Sequence, residues 1–155
     1  MATEKWIAGS GQGLTWGTLD TTSLNSLASG NAILSGTQID NTTALDIFAD
    51  VEVVLASLSP AAPNYVGVYL YPLNSDGSTY GDGRFSSAAA GPPPAEYYVG
   101  SIVMNTAAAT AEQGVLRGIV LLPAKQKFVL YNQMGVAFAA SGNTLKYRTY
   151  NRSVA

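Results

Sequence analysis

The chain has 155 residues, 47% of them apolar and only 12% charged, with no histidine and no cysteine. That composition excludes a disulfide framework and a thiolate metal site, and it removes the usual general base and the commonest transition-metal ligand. The net charge of −2 is unevenly placed: residues 1–116 hold all ten acids against Lys5 and Arg84, while residues 117–155 hold six cations and no acid.

This length predicts one domain, long enough to bury about 70% of its unfolded surface. A charged share about half that of an average soluble domain leaves a weakly polar surface of Ala, Gly, Ser, Thr and Tyr, as in an assembly subunit or a very regular β-protein. No apolar run reaches the ~18 residues of a membrane helix. The segment MATEKWIAGSGQG has no signal-peptide core, so synthesis in the cytoplasm is expected.

Residues 1–13 read as an extended arm in which Trp6 is an anchor, either on a partner or on its own domain. A short strand over 14–19 follows. Residues 21–30 combine a Thr or Ser cap, Leu24, Leu27 and Ala28 at helical spacing, and Gly30 as a stop, which predicts at most one short helix. Residues 31–36 return to strand.

The segment 44–58 is the clearest long strand. Leu45, Ile47, Ala49, Val51, Val53 and Leu55 alternate with Asp46, Phe48, Asp50, Glu52 and Val54. Period two with three acids on one face predicts an antiparallel strand, dry on one side and wet on the other. A second apolar strand spans 66–73. A loop of more than twenty residues then runs through Asp76-Gly77, Asp82-Gly83 and Gly91-Pro92-Pro93-Pro94, and such loops tend to be functional or disordered. Further strands are expected over 97–104, 115–122, 127–132, 136–139 and 145–151, with a small-residue connection over 105–114. In the last strand Leu145, Tyr147 and Thr149 face one way and Lys146, Arg148, Tyr150 and Arg152 the other.

Eight or nine strands separated by turns predict an all-β antiparallel β-sandwich, jelly-roll-like, with the arm at 1–13 and a single domain over 14–155. The charge asymmetry has two readings. Terminal strands pair with acidic ones inside the sheet, or a basic face meets an acidic face on a neighbour.

Catalytic chemistry is not expected. Asn74, Asp76 and Asp82 supply oxygens, but an EF-hand loop begun at Asn74 would put Thr79 and Phe85 where glycine and glutamate are needed, so turn formation explains the Asp-Gly pairs. Asp46, Asp50 and Glu52 share one strand face, which reads as solvated rather than as an acid pair across a cleft. The nine tyrosines suit core packing with rim hydroxyls, sugar stacking or a protein interface. No metal or cofactor is expected, and nucleic acid is not expected either, the chain being acidic overall.

Three stretches carry a resemblance: SLNSLASGNAILS (23–35), VYLYPLNSDGSTYGDGRF (68–85) and RGIVLLPAKQKFVLYNQMGVAFAASGNTLKYRTYNR (117–152). They resemble small structural proteins of tailed bacteriophages. The resemblance implies a virion component, of head or tail alike; a short arm with one compact domain favours a place on the outer capsid surface. The single compact domain points to a capsid decoration (cement) protein that binds the major capsid protein as a cyclic trimer or dimer. The contact residues expected on that reading are Trp6, Tyr80, Asp82, Arg84, Lys146, Arg148 and Arg152. The alternative is a receptor- or glycan-binding module of a tail or head fibre, using Tyr69, Tyr71, Tyr80 and the Asp/Asn loop.

Overall fold

The structure, a computed structural model, describes residues 4–105 and 110–154. Strands form at β1 (Glu4–Ala8), β2 (Gly17–Asp20), β3 (Asn31–Leu34), β4 (Ile39–Asp40), β5 (Phe48–Leu58), β6 (Tyr65–Pro72), β7 (Ala89–Ala90), β8 (Tyr98–Val103), β9 (Thr110–Val120), β10 (Lys125–Gln133) and β11 (Thr144–Val154). They build two antiparallel sheets. The first runs β1-β11-β5-β9, with β2 also against β11; the second runs β7-β3-β10-β6-β8, with β4 also against β10.

The pairing is nested: β2 with β11, β3 with β10, β5 with β9 and β6 with β8. One long hairpin, rolled so that successive pairs fall alternately in the two sheets, produces this order. It is the jelly roll that the strand count predicted. The closed end of the hairpin is the long segment between β6 and β8.

Alternation places the core between the sheets. Ala49, Val51, Val53 and Leu55 of β5 are fully buried, as are Val66 and Val68 of β6 and Phe128 of β10. Each such aliphatic or aromatic side chain stabilises the fold by about 1.5–3 kcal/mol. The second sheet also has a dry outer face. Tyr69, Tyr71, Val129 and Ala32 lie there beneath Phe85, with Leu34, Tyr80 and Tyr97 packed around them. The long loop is therefore a folded cover, and the Tyr71 ring sits 4.3 Å from that of Tyr97. Within the loop Asp76 forms a turn, accepting the Ser78 and Thr79 amides at 2.9 and 2.8 Å. Bonds from Thr79 and Ser78 lower its pKa to about 2.

Several local expectations are corrected. The 21–30 segment is a run of turns, because the Asp20 carboxylate takes the Thr22 and Ser23 amides and Ser26 adopts φ 59°, which stops a right-handed helix. Short 3₁₀ turns occur instead at Arg84–Ser86 and Ala95–Tyr97. The strand expected from 44 begins at Phe48. Asn41 clamps both the amide and the carbonyl of Asp46, so Leu45 and Ile47 are thrown outward. The strand expected over 136–139 is absent, since the buried Asn132 side chain holds the Met134 amide and the Val136 carbonyl in a turn. Finally, the face of β5 expected to be wet is not: Asp50 and Glu52 are buried. Of the 105–114 connection, residues 106–109 lie outside the described residues and 110–114 belong to β9. In the 1–13 segment residues 4–8 are strand β1, and residues 1–3 also lie outside the described residues.

Candidate functional site

The outer face of the first sheet carries the most organised surface chemistry. Register sets it up. Tyr150, Arg148 and Lys146 of β11 stand directly opposite Phe48, Asp50 and Glu52 of β5. Val120 of β9 stands opposite Phe48, and Trp6 of β1 opposite Arg152. Trp6, Tyr150, Phe48 and Val120 thus form an apolar stripe running across four strands. The Trp6 ring meets those of Tyr150 and Phe48 edge-on at 5.3 and 5.7 Å, and Phe48 stacks on Tyr150 at 5.6 Å. Each aromatic pair contributes about 0.5–1.5 kcal/mol beyond burial. The stripe nevertheless remains open to solvent: Trp6 is 62% and Val120 61% exposed.

A charge network braces the stripe. The Asp50 Oδ2 accepts Arg148 Nε and Nη2 at 3.0 and 2.8 Å and Arg117 Nη1 at 3.3 Å. Its Oδ1 accepts the Tyr150 hydroxyl and the Gly118 amide, both at 3.0 Å. Burial alone would raise the Asp50 pKa, but the Arg148, Gly118 and Tyr150 bonds and the Arg148 charge outweigh it and hold the carboxyl below its ordinary value. The Arg148 guanidinium also lies 4.9 Å from the centre of the Trp16 ring. On the same face Lys146 pairs with Glu52 at 3.4 Å, and Arg152 pairs with Glu4 while covering Trp6.

Strand β1 is fastened at its end. Asp46 accepts the Ser10 and Gly11 amides at 2.7 and 3.0 Å, and Thr149 Oγ1 accepts the Gly13 amide at 3.0 Å. The turn after β1 is thereby locked to the segment just before β5 and to β11, which positions Trp6. Between Trp6, Leu14, Tyr150, Asp50, Arg117 and Arg148 lies an open depression of about 410 Å³.

The expected contact residues fall into two groups. Trp6, Lys146, Arg148 and Arg152 share the face just described. Tyr80, Asp82 and Arg84 lie on the loop covering the second sheet, on the other side of the sandwich. There the Tyr80 hydroxyl bonds to Gln38 Oε1, Asp82 accepts the Arg84 amide, and the Arg84 guanidinium bonds to the Ala90 carbonyl. Tyr71 beside them is buried without a hydrogen-bond partner of good geometry. Burial, and then the nearby Asp82 charge, push its pKa up. Phe48, Tyr150, Leu14, Val120 and Arg117 were missed as site residues by sequence reasoning. The alternation put Phe48 and Tyr150 on the outward faces of their strands, but nothing in the sequence announced that the two strands pair. Among the described residues, no group of three or more acidic side chains gathers to hold a metal ion.

No protein-family model matches this chain, and neither a curated protein nor a solved structure is significantly similar to it.

Proposed function

We propose that this chain is a capsid decoration (cement) protein of a tailed bacteriophage, docking on the major capsid protein lattice through the outer face of its first sheet. The observation that carries the docking part is the surface stripe of exposed Trp6 and Val120 and half-buried Tyr150 and Phe48, held in place by cross-strand register and by the Asp46 and Asp50 networks. Large aromatic side chains that are already ordered lose little entropy on binding, which is what an interface anchor needs. The virion assignment rests on the three resembling stretches. Many copies on a repeating lattice gain retention by avidity, so a face of modest size suffices.

The glycan reading is less well supported. The Tyr69 and Tyr71 rings it relies on are 7% and 0% exposed, beneath the long loop, and a covered ring offers no face for a sugar. Quantitative mass spectrometry of purified particles tests the proposal. Copies stoichiometric with the shell protein are expected, and Trp6→Ala is expected to deplete them. Copies confined to a few per particle would assign the chain to the tail or a unique vertex instead.

A further inference from the structure

The depression beside the stripe has a chemistry narrower than a general sticky surface. Its walls are Trp6, Leu14 and Tyr150, and its charged groups are Arg117 and Arg148 against a single carboxylate, Asp50. Five donors converge on the two Asp50 oxygens. Five exceeds the roughly four lone-pair sites a carboxylate presents, so Asp50 is saturated. Three of those donors come from the two guanidinium groups, which leaves one net positive charge in the depression.

Arg117 carries that surplus outward. Its side chain is 65% exposed, and its contact with Asp50 is a single bond at 3.3 Å. Arg148, by contrast, is only 27% exposed and commits two donors to Asp50 at 2.8–3.0 Å. Guanidinium and indole N–H groups only donate. A neutral sugar can accept from these donors, but its own hydroxyl donors find the Asp50 carboxylate already filled and it brings no charge to Arg117. The depression therefore suits a ligand that accepts through a negative group and presents an apolar body to Trp6 and Leu14. β1 is also an edge strand of its sheet among the described residues, next to the depression through Trp6. An extended polypeptide can add to such an edge, whereas a glycan or a nucleic acid cannot.

We infer that the depression between Trp6, Leu14, Tyr150 and Arg117 receives an acidic peptide segment of a partner protein, an Asp or Glu flanked by apolar residues, with its carboxylate on Arg117 and its apolar neighbour on Trp6. This rests on the docking reading and specifies the chemistry of the partner's contact segment.

The test is a titration of the full chain, followed through the indole signals of Trp6 and Trp16 by NMR. The probe is a short capped peptide alternating leucine and glutamate. Its counterpart carries glutamine in place of glutamate, and sodium glucuronate serves as the acidic-sugar probe. The glutamate peptide is expected to shift the Trp6 signal, and to bind at least about tenfold more tightly than the glutamine peptide, the scale of one charge-assisted bond. Arg117→Gln is expected to remove that preference while leaving thermal stability near wild type, since Arg148 still pairs Asp50. Equal binding of the two peptides, an unmoved Trp6 signal, or tighter binding of glucuronate each overturns the inference. So does self-association of the chain that Arg117→Gln abolishes, because the occupant would then be a second copy. Particles that carry Arg117→Gln as fully as wild type overturn this inference and leave the docking reading standing. Particles that never carry the chain overturn the virion reading without touching peptide recognition.

Discussion

Arg148 on β11 stands directly opposite Asp50 on β5 and delivers two donors, Nε at 3.0 Å and Nη2 at 2.8 Å, to one carboxylate oxygen. The pair lies just beneath the aromatic stripe, with Tyr150 bonding to the other oxygen of the same carboxylate. Asp50→Asn keeps the shape but removes the charge, leaving Arg148 and Arg117 without their anion. Breaking a buried pair costs about 3–5 kcal/mol, and the partial exposure of Arg148 reduces that to about 2–3 kcal/mol here. Urea unfolding should show that loss. An unchanged midpoint would mean that the network contributes nothing to stability.

The response to pH follows from the same kind of group. Asp20, Asp46 and Asp50 each resist the upward pull of burial through their hydrogen bonds and titrate below the ordinary value. A depressed native pKa means that the unfolded state takes up protons first as pH falls. The stabilisation is therefore complete above about pH 5 and is lost as pH drops through about 4 and below. At the other end, burial raises the pKa of Tyr69, Tyr147 and Tyr150, so their contribution is present below about pH 10 and lost above it. With no histidine in the chain, the plateau between should be flat. Unfolding midpoints measured from acid to alkaline pH would contradict this if they sloped steeply between pH 6 and 8.

Gly81 holds the long loop against the second sheet. It adopts φ 53°, and a Cβ there would overlap the Tyr71 ring. Gly81→Ala should therefore lift the cover, at a cost of about 1–3 kcal/mol. The signature would be chymotryptic cleavage near Tyr80 and a changed near-ultraviolet spectrum. Trp6 fluorescence, reporting on the other sheet, should hold steady.

Trp6→Ala separates docking from stability. A residue 62% exposed contributes little to folding beyond its two ring contacts, so the melting temperature should shift by the equivalent of about 1–3 kcal/mol with the fold retained. Particle occupancy should fall severalfold, since a central aromatic anchor is lost. Full occupancy by the variant would remove the stripe from the docking face.

The chain's own residues determined most of the strands and the all-β sandwich architecture. Period two in β5 and β11 depends only on backbone geometry. It assigned Ala49, Val51, Val53 and Leu55 to the core, and it put Arg148 and Tyr150 outward, as the structure has them. The number and spacing of strands pointed to a jelly roll, and the nested pairing produces one. The charge asymmetry was legible too, but not its outcome. Five of the six cations beyond residue 116 pair with acids nearer the N-terminus, Arg117 and Arg148 with Asp50, Lys125 with Asp40, Lys146 with Glu52 and Arg152 with Glu4. Only the tertiary structure decided that, because register is a relation between strands about a hundred residues apart. The same holds for the buried Asn41 and Asn132, whose side chains replace backbone partners and end the neighbouring strand or turn. Their amides look polar and loop-like in sequence. What gives them their role is the set of backbone groups that folding brings within 3 Å of them.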